Sequence, residues 1–203
     1  MMEGHHLLLA LGWTVWCALH SLLASIPAEL AIRARMGLFA PRYRLGYNVF
    51  AAVSVAPLVI MEKRWAAGIL IDLGWGETVR AMVFYAALLA MAWVIYRYGP
   101  SNISGLAPAD GPDVPPKPGE LNLTGPFTHV RHPLYALAFL ILWSRPMTDT
   151  ALVSTIALSV YIFIGARLEE RRMIVRFGAE YARYRATVPA FIPWPRRGGG
   201  NGG

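Results

Sequence analysis

The chain has 203 residues, 56% of them hydrophobic and 15% charged, with a formal net charge of +7, whereas a soluble domain carries about 25% charged residues. One domain fits that length, and a mean hydropathy of +0.42 excludes an ordinary soluble core in favour of a membrane domain. A lone cysteine, Cys17, excludes a disulfide framework or a Cys-based zinc site within the chain.

Residues 7–26, LLLALGWTVWCALHSLLASI, predict the first membrane span. No basic stretch precedes it and Pro27-Ala28-Glu29 makes a poor cleavage site, so it is not expected to be a signal peptide. His20 and Ser21 fall inside it; an intramembrane histidine is either a functional group or a hydrogen bond between helices. Cys17 reads as a small packing residue, and Trp13, Trp16, Trp93 and Tyr96 as packing or interfacial-belt residues. A connection with Arg33, Arg35, Arg42 and Arg44 follows, then a second span over 45–61 with Pro57 near its end. Lys63, Arg64 and Arg80 flank the next connection, and 79–98 predict a third span. The stretch 99–130 is a long Pro- and Gly-rich loop, a length that is uncommon without function or disorder. Its two glycosylation sequons, at Asn102 and Asn122, are discounted because the loop is expected in the cytoplasm.

LYALAFLILW, residues 134–143, is apolar but too short to cross alone, since a bilayer core needs roughly 20 helical residues. The SRPMTD turn leads from it into a last span centred on 151–166. The two form a helical hairpin whose second arm continues beyond Arg167 as a charged helix. GGGNGG closes the sequence as a disordered tail.

The expected fold is an all-α integral membrane protein. It has about five transmembrane helices, including the hairpin, and a cytoplasmic C-terminal segment. It divides into a three-helix region 1–98, a cytoplasmic loop 99–130, a hairpin with C-terminal segment 131–195 and a tail 196–203. Arginines cluster at 33–44 and at 167–197, which places the N-terminus outside and the C-terminus in the cytoplasm by the positive-inside rule. A pI near 9.9 therefore reports a membrane surface and no nucleic-acid partner.

Chemistry concentrates where the loop meets the hairpin, in GPFTHVRHPLY, residues 125–135. Pro133 suits the first helical position and His132 its cap. Arg131 and the helix N-terminus could hold a carboxylate. After the last span, spacing puts Arg167, Glu170, Arg171 and Ile174 on one helix face and Glu169, Arg172 and Arg176 on another. Carboxylates at a membrane boundary are costly unless paired or holding a cation. Interfacial salt bridges are the plain alternative.

The ordered set GPFTHVRHPLY, then RLEERRMIVRFGAEYARYRATVPAFIP, resembles the isoprenylcysteine carboxyl methyltransferase family. YRLGYN at 43–48 favours the bacterial branch with NnrU-type proteins and thiol S-methyltransferases. The resemblance implies an integral-membrane methyltransferase dependent on S-adenosyl-L-methionine. It assigns Arg131, His132, Glu169 and Glu170 to catalysis. Cofactor binding falls to these four with Tyr135, Tyr181, Tyr184, Val188 and Pro189. No metal is implied. No strand followed by GxGxxG is present. Tyr181, Tyr184 or Phe177 could cover the adenine. The implied partners are the lipid bilayer, in a bacterial inner membrane, and a lipophilic small-molecule or lipid acceptor bearing a thiol, amine or carboxylate. Two other classes are an NnrU-like accessory protein without turnover and an NADPH-dependent sterol-type membrane reductase.

Overall fold

A computed structural model describes residues 4–70, 76–98, 123 and 125–193. Most of the loop expected at 99–130, with its two sequons, and the tail at 196–203 lie outside these residues. The described residues are helical, apart from turns and one isolated antiparallel bridge between Ile69 and Thr148.

Helix α1 spans Gly4–Leu23. The following stretch, expected as a connection, is a helix: α2, Ile26–Met36. The Ser25 hydroxyl caps it by accepting the Ala28 N–H, a proline occupies its first turn, and Arg33 pairs with Glu29 one turn back at 2.9 Å. Gly37, at φ +52°, ends it and leads through a 3-10 turn, Gly37–Arg42. Then come α3, Tyr43–Trp65, with Pro57 inside, and α4, Gly76–Tyr98. A second 3-10 turn, Gly125–Thr128, precedes α5, Pro133–Trp143; α6 is Asp149–Phe177 and α7 Ala179–Thr187. The charged continuation beyond Arg167 is therefore part of one unbroken 29-residue helix.

Four of these helices, α1, α3, α4 and α6, are long and apolar enough to cross a membrane. The chain is an integral membrane protein. Its short arm α5 has 11 residues and rises about 16 Å, half of a hydrocarbon core about 30 Å thick. Outward-facing side chains are apolar and exposed, Leu11, Val53, Leu89 and Phe163 among them, as a lipid-facing surface requires. Inside, Leu9, Trp13 and Leu58 form a small core between α1 and α3, and Val153 and Ala157 of α6 pack on it. Gly12 allows the approach, because a Cβ there would meet Leu58 Cδ2 at 2.6 Å.

Association in lipid gains little from the hydrophobic effect, so packing and interhelical hydrogen bonds bind the helices. Trp13 donates to Ser154 at 2.7 Å and Trp16 to Ser54 at 2.9 Å. These indoles are glue between helices rather than belt residues; Trp93 and Tyr96 do face outward. His20 Nε2 lies 2.7 Å from the Tyr47 hydroxyl and its ring stacks on Trp16, which links α1 to α3.

At one end of the bundle, Arg145 pairs with Glu62 at 2.8 Å and also donates to the Ala151 carbonyl and Thr155 hydroxyl. Arg80 donates to the Ser144 carbonyl, and Leu70 N–H to that of Met147. Trp143 reaches Ser159, ten residues into α6, at 3.1 Å. The connection 144–148, which follows the end of α5, thus runs along the start of α6. The start of α5 is raised level with the far, charged end of α6.

Candidate active site

His132 occupies the N-cap of α5 and Pro133 its first turn. The backbone N–H of Arg131 donates to the Pro189 carbonyl at 2.8 Å, and that of His132 to the Ala190 carbonyl at 2.9 Å. Those two rungs hold the C-terminal segment against the start of α5.

The Arg131 guanidinium is fully engaged. It meets Glu170 Oε1 at 2.6 Å and 2.8 Å, and donates to the backbone carbonyls of Arg185, at 3.0 Å, and Val188. The carboxylate it holds is the protein's own. His132 Nε2 lies 3.1 Å from the same Glu170 oxygen, and Arg185 Nε stands 3.7 Å from the other. Buried charges survive when paired and hydrogen-bonded; Glu170 meets both conditions with only 9% of its side chain exposed.

Glu169 differs. It leaves 46% of its side chain exposed, and its carboxylate stands 3.8 Å from His132 Nδ1, beyond hydrogen-bond length. Tyr135, in the first turn of α5, lines the same cleft as Glu169.

Gly178, at φ +56°, breaks α6 from α7. The reversal buries Tyr181, Tyr184 and Val188 against Met173, Ile174 and Phe177. The Tyr184 hydroxyl donates to the Phe127 carbonyl at 2.7 Å, tying α7 to the 3-10 turn. Burial pushes the Tyr181 and Tyr184 phenols up to about 12, helped for Tyr181 by the Glu170 charge and for Tyr184 by Tyr181. Both are therefore neutral hydrogen-bonding groups at physiological pH.

Around this lattice lie two cavities. A cleft of about 380 Å³ has Phe127, Leu134, Tyr135, Met173, Tyr181 and Tyr184 as largely apolar walls and Glu169, His132 and Arg131 as its polar side. On the other side of the Arg131–Glu170 pair is a cavity of about 490 Å³, lined by Arg167, Arg171, Arg185, Phe163 and Phe191. Arg167 lies over the Phe163 ring, 4.6 Å from its centroid. On α6, Glu169 turns to the cleft and Glu170 with Arg167 and Arg171 to the second cavity, while Ile174, expected on the Glu170 face, packs against the tyrosines of α7.

Of the residues singled out in the sequence, Arg131, His132, Tyr135, Glu169, Tyr181 and Tyr184 line one cleft. Glu170 sits behind its wall, Val188 is buried beneath α7, and Pro189 contributes its carbonyl. Phe177 packs under the tyrosines rather than over an open face. Phe127, Leu134 and Met173 were not singled out. For Met173 the signal was its place four residues after Glu169.

Curated relatives share a name. Over 71 residues the chain is 41% identical to methanethiol S-methyltransferase 1 of Bradyrhizobium diazoefficiens, covering 34% of this chain and 25% of that one. It is 34% identical over 90 residues to the methanethiol S-methyltransferase of Pseudomonas deceptionensis, covering 43% and 34%. To that of a Pseudomonas strain it is 29% identical over 140 residues, covering 68% and 50%. The matched stretches thus span between a quarter and a half of these relatives' own length. No family profile and no solved structure matches the chain.

Proposed function

We propose that the chain is an integral-membrane methyltransferase that uses S-adenosyl-L-methionine to methylate a small or lipophilic acceptor at the membrane–cytoplasm boundary, a thiol foremost, with an amine or carboxylate as the wider class. The observation that carries it is the cleft itself. A paired, buried Arg131–Glu170–His132 lattice holds an open, half-exposed carboxylate, Glu169, opposite aromatic walls. The relatives' names add the reaction type and favour sulfur as the acceptor.

The residues fit the cofactor. A volume of about 380 Å³ lies within the range of small-molecule sites, about 300–1,000 Å³. Glu169 is the uncompensated carboxylate of the cleft and suits an ammonium or ribose hydroxyls. Phe127, Tyr181 and Tyr184 offer ring surface for an adenine. Arg131 holds the wall, not the ligand, because its donors are spent on Glu170 and two backbone carbonyls.

When bound, S-adenosyl-L-methionine supplies a methyl group activated by a sulfonium cation. What the chain contributes is placement. Displacement in line needs acceptor and methyl carbon aligned within van der Waals reach, and holding both supplies a large part of the rate. Leu134, Met173 and Phe127 exclude water from the apolar side, while the polar edge at Glu169 faces the cytoplasmic mouth. An acceptor of low polarity would arrive from the lipid side of α5.

The deciding measurement is transfer of labelled methyl from S-adenosyl-L-methionine to methanethiol, longer alkyl thiols and lipid amines by the purified protein in detergent. Label in a thioether supports the proposal. Binding without transfer to any acceptor would favour an accessory protein, and binding of NADPH in place of S-adenosyl-L-methionine would replace it with a reductase.

A further inference from the structure

At the opposite end of the bundle from the cleft, a second group of chemistry-bearing side chains takes no part in the proposed methyl transfer. His5 and His6 lie in the first turn of α1, and Asp149 is the first residue of α6. His6 Nε2 is 2.8 Å from Asp149 Oδ2. The two imidazole centroids are 4.2 Å apart. Each of the three residues offers a ligand atom, and all three atoms lie within 4.8 Å of one another.

We propose that His5, His6 and Asp149 form a binding site for a divalent transition-metal ion of the zinc class. Zinc takes His nitrogen and carboxylate oxygen at about 2.0–2.2 Å, so tetrahedral ligand atoms stand about 3.4 Å apart. The 2.8 Å His6–Asp149 contact opens and separations of up to 4.8 Å close by at most about 1.4 Å to reach that value, within the reach of side-chain rotation. Two imidazoles and one carboxylate suit zinc, cobalt or nickel and not calcium or magnesium, which prefer oxygen alone.

One further feature supports a built site. The Asp149 carboxylate is already oriented, because its Oδ1 accepts the Ala67 N–H at 3.1 Å; outer partners of this kind fix metal ligands. A salt bridge between His6 and Asp149 would account for their contact alone. It would not account for a second imidazole packed beside the first, since protonation of both would set like charges side by side. All three residues are partly exposed, which leaves a coordination position for water. The ion would staple the start of α1 to the start of α6 and to the backbone following α3.

The test uses the full chain in detergent, purified without a polyhistidine tag and stripped with a chelator. Cobalt(II) is titrated and followed by visible absorption, then displaced with zinc. One saturable equivalent per chain is expected. His6→Ala and His5→Ala should each weaken binding about ten-fold or more, as should Asp149→Asn, whose amide oxygen still accepts the Ala67 N–H. Thermal unfolding without metal checks that each variant is folded. If Asp149→Asn does not fold, His5→Ala and His6→Ala decide. Absence of a saturable equivalent, or a His5→Ala/His6→Ala double variant that binds as the parent does, would overturn the proposal.

Discussion

Glu169 and Glu170 adjoin in sequence and differ in every physical respect. Glu169→Gln removes the open charge of the cleft; the loss of one charge-assisted hydrogen bond, about 1.5–3 kcal/mol, weakens cofactor binding roughly ten- to a hundredfold. Its unfolding temperature should stay at the parent value, and calorimetric titration beside a thermal melt reads both. Glu170→Gln instead leaves the Arg131 guanidinium buried without its counter-charge, at about 3–5 kcal/mol. A clear fall in unfolding temperature is expected, and an unchanged melt would contradict the structural role assigned to it. Tyrosine chemistry gives a pH window. The folded-state values of Tyr181 and Tyr184 are raised from 10.0 to about 12, so their contribution is complete below pH 10 and is lost as pH climbs toward 12. Alkaline unfolding should therefore be blunted in Tyr181→Phe, as followed by circular dichroism between those limits. That Glu169, His132 and the tyrosines come together in one cleft was legible in the sequence because polar groups are conspicuous beside an apolar span. Which glutamate turns inward was not, since Arg131, 39 positions upstream, decides it.

Among elements, α7 depends on a single backbone reversal. Gly178 adopts φ +56° with open space around its missing Cβ, so Gly178→Ala carries backbone strain alone, of order 1–3 kcal/mol. Faster hydrogen exchange across 179–187, with α1 and α3 unaffected, is the expected signature. Helix α5 was legible in length and in its Pro133 start, because hydropathy and cap chemistry are local. Helix α2 carries local signals too. Ser25, Pro27, Glu29 and Arg33 are ordinary helix-start and i,i+4 features, but in a membrane sequence the same arginines read as the topological charges of a connection.

At the scale of the whole molecule, the spans stood out because an apolar run needs no partner to be recognised. The cross-links did not: Trp13 finds Ser154 across 141 positions and Arg145 finds Glu62 across 83, distances over which a sequence carries no pairing signal. Arg145 reads as a lone charge in a turn and is instead a hub of four hydrogen bonds to three residues, Glu62 of α3 and Ala151 and Thr155 of α6. The orientation proposed from arginine placement makes a direct forecast. In a Cys17→Ser background, Val175→Cys, 89% exposed at the charged end of α6, should react with an impermeant maleimide only from the cytoplasmic side. Leu70→Cys, 54% exposed at the opposite end, should react only from outside. Reversed labelling would place the cleft mouth on the wrong face for a cytoplasmic cofactor.

Anchoring Arg131 to carbonyls 54 and 57 residues later also sets an order on biosynthesis. Ribosomes add about 5–20 residues per second, so Arg131 and His132 emerge about 3–11 s before the chain that surrounds them. At the outset of that interval the cleft has neither glutamate and neither Tyr181 nor Tyr184. The proposed site is thus assembled only after α6 and α7 have been made, and a nascent chain arrested at the hairpin would hold Arg131 and His132 without the partners that orient them.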